Sequence, residues 1–346
     1  MRTIKDTTKE FESGKILPLV FKLTIPAVIA QLITFIYNLV DRMYVSGLEN
    51  IQSEALAALG VVLSLTMIIQ AFANLIGLGA SPKASMKLGE KDQATANKIF
   101  NNASVLLFII GLVLTLIFFF FAEDILVLFG CPKDSLFYAT EYLKIYALGT
   151  IFVIIVQGLN PFITATGHSI ISMGTIALGA IINIILDPIF IYTLQLGVKG
   201  AAIATILSQM ISFVWVISFF FLKGSNFKFS FKDMKLDFRL IGTFLFLGLS
   251  PFIMTITESA IQIVFTVSLK MSTGINSSEY VAALTVMLSA LQLVSLPLNG
   301  LGFGIAPFVS YNYGKGDAYR IKKAIKYTFI IGFIFGSIFY SFHELP

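Results

Sequence analysis

Nine stretches of this chain are apolar over about 18 residues or more, which is near the roughly 20 residues a helix needs to cross the hydrocarbon layer of a bilayer. They fall at 16–46, 53–82, 99–121, 137–163, 171–194, 200–222, 241–270, 279–308 and 325–342. Nothing else in the sequence limits the fold so tightly, because a segment surrounded by lipid must satisfy every backbone N–H and C=O internally. The expected class is an all-α polytopic membrane protein. Composition agrees: 57% of residues are hydrophobic and only 12% charged, against about a quarter charged in soluble domains.

The net charge of +5 would suit a nucleic-acid binder if it were clustered on one surface, but Lys and Arg gather in the loops between apolar runs. Placing the N-terminus in the cytoplasm puts 19 basic residues on that side, in the tail and around 83–98, 223–239 and 315–326. Five remain opposite: Arg42, Lys133, Lys144, Lys199 and Lys270. The positive-inside rule then orients the chain, with a plasma-membrane location and no nucleic-acid partner expected. A single cysteine, Cys131, excludes an intrachain disulfide framework, and two histidines, His168 and His343, argue against a histidine metal site. Residues 1–15 form a polar tail without the apolar core and cleavage site of a signal peptide.

A repeat with a fixed offset of 225 residues runs through the sequence. Pro26 aligns with Pro251, Ser53 and Glu54 with Ser278 and Glu279, and Asn74, Gly77, Gly79, Pro82, Gly89 and Asp92 with Asn299, Gly302, Gly304, Pro307, Gly314 and Asp317. From Ser53 to Gly111 there are 19 identities in 59 ungapped positions. Shared apolar composition would not hold Asn, Gly, Pro and Asp in one register. The offset spans six helices, so both copies start on the same side and the repeat is parallel, about an axis along the membrane normal. The expected organisation is a tail (1–15), a six-helix N-lobe (16–222), a basic linker (223–240) and a partial C-lobe of three helices (241–346). Pro346 is equivalent to Phe121, so a full second copy would carry three further helices.

Function is to be sought where charge enters an apolar run. An ionised side chain at the bilayer centre costs from about 2.5 to well over 10 kcal/mol, so a chain that keeps one either uses it or hides it. Asp41 closes the stretch Tyr37-Asn38-Leu39-Val40-Asp41 late in the first run. Tyr37 and Thr34 stand one and two turns back on the same face, within reach as donors. On the fifth run Asn183 and Asp187 are spaced i, i+4 and share a face, while Pro188 leaves the Ile184 carbonyl without its helical bond. Asp41 and Asp187 both fall in the outer half of the membrane. Two carboxylates in one poorly hydrated site cannot both ionise cheaply, which makes such a pair a place where a proton or Na⁺ competes.

Plainer roles stand beside these. Asp41 also suits an interfacial position beside Arg42, and Asp187 a structural pairing with Asn183 around a proline kink. Glu258, in the seventh run, aligns with Ile33 and has no counterpart, so coupling and buried pairing are equally open for it. The repeated glycines suit close helix packing. No phosphate-binding GxxxxGK[ST] loop and no activated nucleophile is present, so neither ATP use nor an enzyme is expected, and no cofactor beyond a coupling ion.

Taken together, Pro26 through Asp41, the loop from Gly77 through Ser81-Pro82 to Gly89 and Asp92, Asn183 to Pro188, and Gly200 to Thr205 resemble the multidrug and toxic compound extrusion (MATE) family. The resemblance covers essentially the whole chain. It implies two helical bundles facing each other across a cleft and exporting drugs or organic cations in exchange for H⁺ or Na⁺. It also implies that Asp41 and Asp187 are coupling carboxylates, that Tyr37, Asn38, Asn183 and Thr205 form the polar cluster around them, and that Gln157 stands where relatives often carry another amide. A small amphipathic or cationic substrate, the lipid bilayer and a monomer are the expected partners and state. A lipid-linked precursor flippase of the same superfamily, and a membrane receptor-like protein that does not transport, are the alternatives.

Overall fold

A computed structural model describes the backbone of residues 8–48, 51–222, 225–273 and 277–343. Lys223 and Asn50 lie outside the described residues, as do the side chains of Arg2, Lys5, Lys9, Lys270, Ser278 and His343. All regular structure among the described residues is helical. Nine long helices occupy the nine apolar runs: α2 (Ile16–Ser46), α3 (Gln52–Gly89), α4 (Gln93–Phe120), α6 (Lys133–Ala165), α7 (Ser169–Pro188), α8 (Val198–Phe221), α9 (Phe238–Thr273), α10 (Ser277–Lys315) and α11 (Ala318–His343). Two short ones, α1 (Thr8–Ser13) and α5 (Ala122–Leu128), complete the order, and a π-helical turn, Ile189–Thr193, extends α7 beyond Pro188. Among the described residues, seven of these helices, α2, α3, α4, α6, α7 with its π turn, α8 and α9, are long and apolar enough to cross a membrane. The protein is a multi-pass membrane protein.

The first six long helices pack in a ring in which α3 touches α4 and α6, α6 touches α8, α8 touches α7, and α7 touches α2. Helices α9 and α10 lie against α3, and α10 also covers α2. The ends of α2, α3, α4, α9, α10 and α11 that adjoin the basic segments define one side of the molecule, called here the basic face.

Local rules fix the helix ends on that face. Asp92 caps α4 by accepting from the Thr95 N–H at 3.0 Å, and Asp317 caps α11 by accepting from the Arg320 N–H at 3.1 Å. The Asp92 N–H reaches the Lys87 carbonyl and the Asp317 N–H the Asn312 carbonyl, both at 2.9 Å. The residue before each cap turns left-handed: Lys91 at φ 64° and Gly316 at φ 81°. All three correspondences obey the 225-residue offset. Glycine adopts this backbone freely, whereas Lys91 does so against its Cβ. The Thr95 hydrogen bonds hold the Asp92 carboxyl below its usual range.

Two segments are more ordered than their composition indicates. Within the polar tail, Phe11 is buried edge-on against Phe308 and Tyr311, and its carbonyl accepts from Asn312 at 3.3 Å. Phe11, with the Lys315–Glu12 ion pair at 3.7 Å, docks α1 on α10. The basic linker is also held, by the N-terminal half of α4. Asn97 and Asn101 accept the main-chain N–H groups of Lys228 and Ser230 at 2.7 and 2.9 Å, and Asn102 accepts that of Asp237 at 2.7 Å. The amides donate in return to the carbonyls of Lys228, Asp233 and Lys235. Phe227 is buried beside Phe100, stacked at 5.5 Å. Lys98 pairs with Asp237 at 2.7 Å.

Candidate functional site

The polar residues of α2, α6, α7 and α8 converge in the half of the helix ring remote from the basic face. Asp187 stands one residue before Pro188, where the helix widens into its π turn. That widening comes from the missing proline N–H, and such turns mark places where backbone groups are freed from the α ladder. Asp187 is completely buried. Its Oδ1 accepts from the Asn183 amide at 3.1 Å, and the same amide reaches Thr205 Oγ1 on α8 at 3.5 Å. Thr205 in turn donates to the Ala201 carbonyl at 3.0 Å, and Tyr142 on α6 lies beside it.

From α2, Tyr37 and Asp41 face the same space. Asp41 lies within electrostatic range of Asp187, and both carboxyl groups lie within such range of Tyr37 and Tyr142. Arg42 also reaches this region: it is only 9% exposed and interacts electrostatically with Asp41 and Tyr37. It therefore belongs to the buried interior rather than to a loop on the outer surface.

Three oxygens in this cluster are buried with no hydrogen-bond partner: Asp41 Oδ1, Asn183 Oδ1 and Asp187 Oδ2. A buried acceptor left without a donor costs about 1–3 kcal/mol, more if charged. All three are hard oxygen acceptors, the chemistry that a proton or a hard cation satisfies.

Several expectations change in detail. Thr34 does not serve Asp41; its hydroxyl donates to the Ala30 carbonyl at 3.0 Å. Asn38 is half-buried on α2 one turn before Asp41. Gln157 is exposed and is not brought to the cluster. It shares a helix face with Tyr146, but eleven residues separate them, about 16 Å along the axis toward the basic face. Glu258 is exposed on α9. Its neighbour Ser259 makes the interhelical contact instead, donating to the Ser64 carbonyl at 2.7 Å.

Sequence reasoning missed Tyr142 and Tyr146. Both are buried on α6, with rings stacked 6.1 Å apart. The available signal was a pair of tyrosines at i, i+4 inside an apolar run, where each hydroxyl needs a polar neighbour.

The MatE family model matches residues 26–189 and 252–343. The chain belongs to the MATE family. The multidrug export protein MepA of Staphylococcus haemolyticus is 29% identical over 320 residues, which are 92% of this chain and 69% of that protein. MepA of Staphylococcus aureus strain MRSA252 is 26% identical over 326 residues, 94% of this chain and 71% of that protein. Among solved structures, an outward-facing multidrug-resistance MATE transporter superposes with a TM-score of 0.87 at 25% identity, covering 100% of this chain and 75% of that one. The MATE multidrug transporter DinF-BH gives 0.84 at 28% identity, covering 93% and 70%. The family is one of transporters of small molecules, not of enzymes.

Proposed function

We propose that this MATE-family chain works as a secondary antiporter, moving an amphipathic or cationic small molecule out of the cell against H⁺ or Na⁺ by alternating access of two bundles. The observation that carries the reading is the set of buried acceptors Asp41 Oδ1, Asn183 Oδ1 and Asp187 Oδ2, which together lack a donor. A site of this kind binds a proton or a small hard cation, and by linkage the ion changes the affinity for any ligand that prefers one conformation. Asp41 and Asp187 hold the ion. Asn183, Thr205, Tyr37 and Tyr142 position those carboxylates. In this reading the basic face is cytoplasmic, following the loop charges, the working unit is a monomer, and the chain lies in the plasma membrane.

A transporter of Pyrococcus furiosus that superposes with a TM-score of 0.85 is described by a pocket of reversed polarity suggesting a different function. A lipid-linked precursor flippase is therefore the second reading. Binding of a fluorescent organic cation, titrated with and without Na⁺ over pH 5 to 9, separates the two. The antiporter reading requires affinity to change with one of these variables, and a flat response to both contradicts it.

A further inference from the structure

The linker sequence Phe227-Lys228-Phe229-Ser230-Phe231-Lys232 alternates aromatic and mostly basic residues. The protein interior uses two of the three aromatic rings: Phe227 is fully buried beside Phe100, and Phe229 packs against Phe100 and Phe220. Phe231 is left out at 91% exposure, the highest value for any large apolar side chain among the described residues. It is not on a loose loop. The Asp233 N–H donates to the Ser230 carbonyl at 2.9 Å, closing a tight turn with Phe231 and Lys232 at its tip. Asn97, Asn101 and Asn102 hold the main chain on either side.

The charges at this turn are sorted. Both acidic side chains point inward: Asp233 accepts from the Asn97 amide at 3.2 Å and Asp237 pairs with Lys98 at 2.7 Å. Lys228, Lys232 and Lys235 are exposed, and among the described residues none forms an ion pair. Depth completes the picture. The linker is bonded to Asn101 and Asn102, which lie eight and nine residues into α4 from Gln93, about 12–14 Å along its axis. The segment therefore runs beside a membrane-spanning helix, at the level where its apolar run, 99–121, begins.

We infer that the linker turn is an interfacial anchor for anionic lipid, with Phe231 set among the acyl chains near the headgroups and Lys228, Lys232 and Lys235 on their phosphates. An aromatic ring at the acyl boundary flanked by lysines fits this surface, and an anionic leaflet supplies the matching charge. The assignment does not depend on the coupling role of Asp41 and Asp187.

The test places a reporter at the tip. Trp215 is the one tryptophan, so Trp215→Phe combined with Phe231→Trp isolates the emission of position 231. The protein is reconstituted in vesicles of phosphatidylcholine alone, or mixed with phosphatidylglycerol, each made with and without brominated acyl chains. The expected result is blue-shifted emission quenched by bromine. Quenching should deepen with phosphatidylglycerol and weaken both in about 1 M salt, where screening shortens to about 3 Å, and on Lys228→Gln with Lys232→Gln and Lys235→Gln. Water-like emission without quenching in both vesicle types leaves this turn to the aqueous phase or a soluble partner, and overturns the inference. Quenching indifferent to phosphatidylglycerol and salt overturns the headgroup assignment. Hydrogen exchange of residues 227–237 in the unsubstituted protein gives an independent reading: slower exchange with phosphatidylglycerol is expected, and equal rates contradict it.

Discussion

Asp41 and Asp187 show how far single residues can be read. Each is conspicuous in sequence as a carboxylate inside an apolar run, and the i, i+4 spacing of Asn183 and Asp187 announces the 3.1 Å hydrogen bond between them. The residues that complete the cluster were not legible in the same way. Tyr142 and Tyr146 come from a helix about 100 positions away in sequence from α2, and only packing brings Tyr142 near Asp41 and Tyr146 near Tyr37. Gln157 shows the converse, since a matching residue type on the right helix stands three turns too far along it. If the orphaned oxygens are an ion site, Na⁺ or a proton binding them in the folded state stabilises it by mass action, by about 2.7 kcal/mol at a hundredfold excess over Kd. Thermal unfolding of the detergent-solubilised protein is expected to shift upward with Na⁺, or with acidification if the proton is the ion. The shift should be absent in Asp41→Asn and in Asp187→Asn, and reduced in Asn183→Ala, which removes one oxygen but no charge. Equal shifts in the wild type and both aspartate variants would place the ion elsewhere.

At the scale of elements, hydropathy located all nine long helices because apolar length is a local property, while it understated their ends where polar residues continue the helix. Helix α3 runs on to Gly89, past the expected end at position 82, because Ser85 and Leu88 stay against neighbouring helices. The linker was invisible to the same logic, since its order comes from three asparagines more than a hundred residues earlier. Asn102 alone pairs with the Asp237 N–H and with the carbonyls of Asp233 and Lys235. Asn102→Leu leaves these groups without partners, at about 1–3 kcal/mol each if they stay dry. The variant is expected to lose about 2–4 kcal/mol of stability, with faster hydrogen exchange confined at first to residues 227–237; unchanged exchange there would show that the aromatic contacts suffice. The linker's attachment to α4 is also expected to be pH-sensitive. Lys98 and the Leu240 N–H hold the Asp237 carboxyl below its usual range of about 3.8. Because the folded-state value is depressed, its contribution is complete above about pH 4 and is lost as the pH falls through the lower folded value. Linker exchange should therefore accelerate in acid below pH 4 in the wild type, and Asp237→Asn should lack that step. An identical acid response in both would assign it to another group.

The whole molecule divides into a closed half and an open question. Near the basic face, α3 and α10 meet through a reciprocal pair: Gly89 lies on the Tyr311 carbonyl and Gly314 on that of Met86, so a Cβ at either would collide with backbone. Positions 86 and 89 map onto 311 and 314 under the 225-residue offset. Gly79 against Phe244 and Gly248, and Gly304 against Leu23 and Thr24, repeat the pattern at the α3–α9 and α10–α2 crossings. These backbone contacts hold α2, α3, α9 and α10 together in the half next to the basic face, while the carboxylate cluster lies in the other half; under the alternating access proposed above, these contacts are the ones that must part. Gly89→Ala with Gly314→Ala is expected to loosen them, so that a cysteine replacing the buried Ser85, on a Cys131→Ser background, reacts faster with an impermeant thiol reagent added from that face. Unchanged reactivity would show that the seam does not hold the closure. The central claim, that Asp41 and Asp187 couple an ion to export, is tested most directly by gradient-driven movement of a fluorescent organic cation in vesicles holding the intact protein, with an imposed H⁺ or Na⁺ gradient. The expected result is movement in the wild type, and its loss in Asp41→Asn and Asp187→Asn proteins that still insert and unfold cooperatively. An Asp41→Asn protein that moves the cation against its gradient at the wild-type rate would contradict the account.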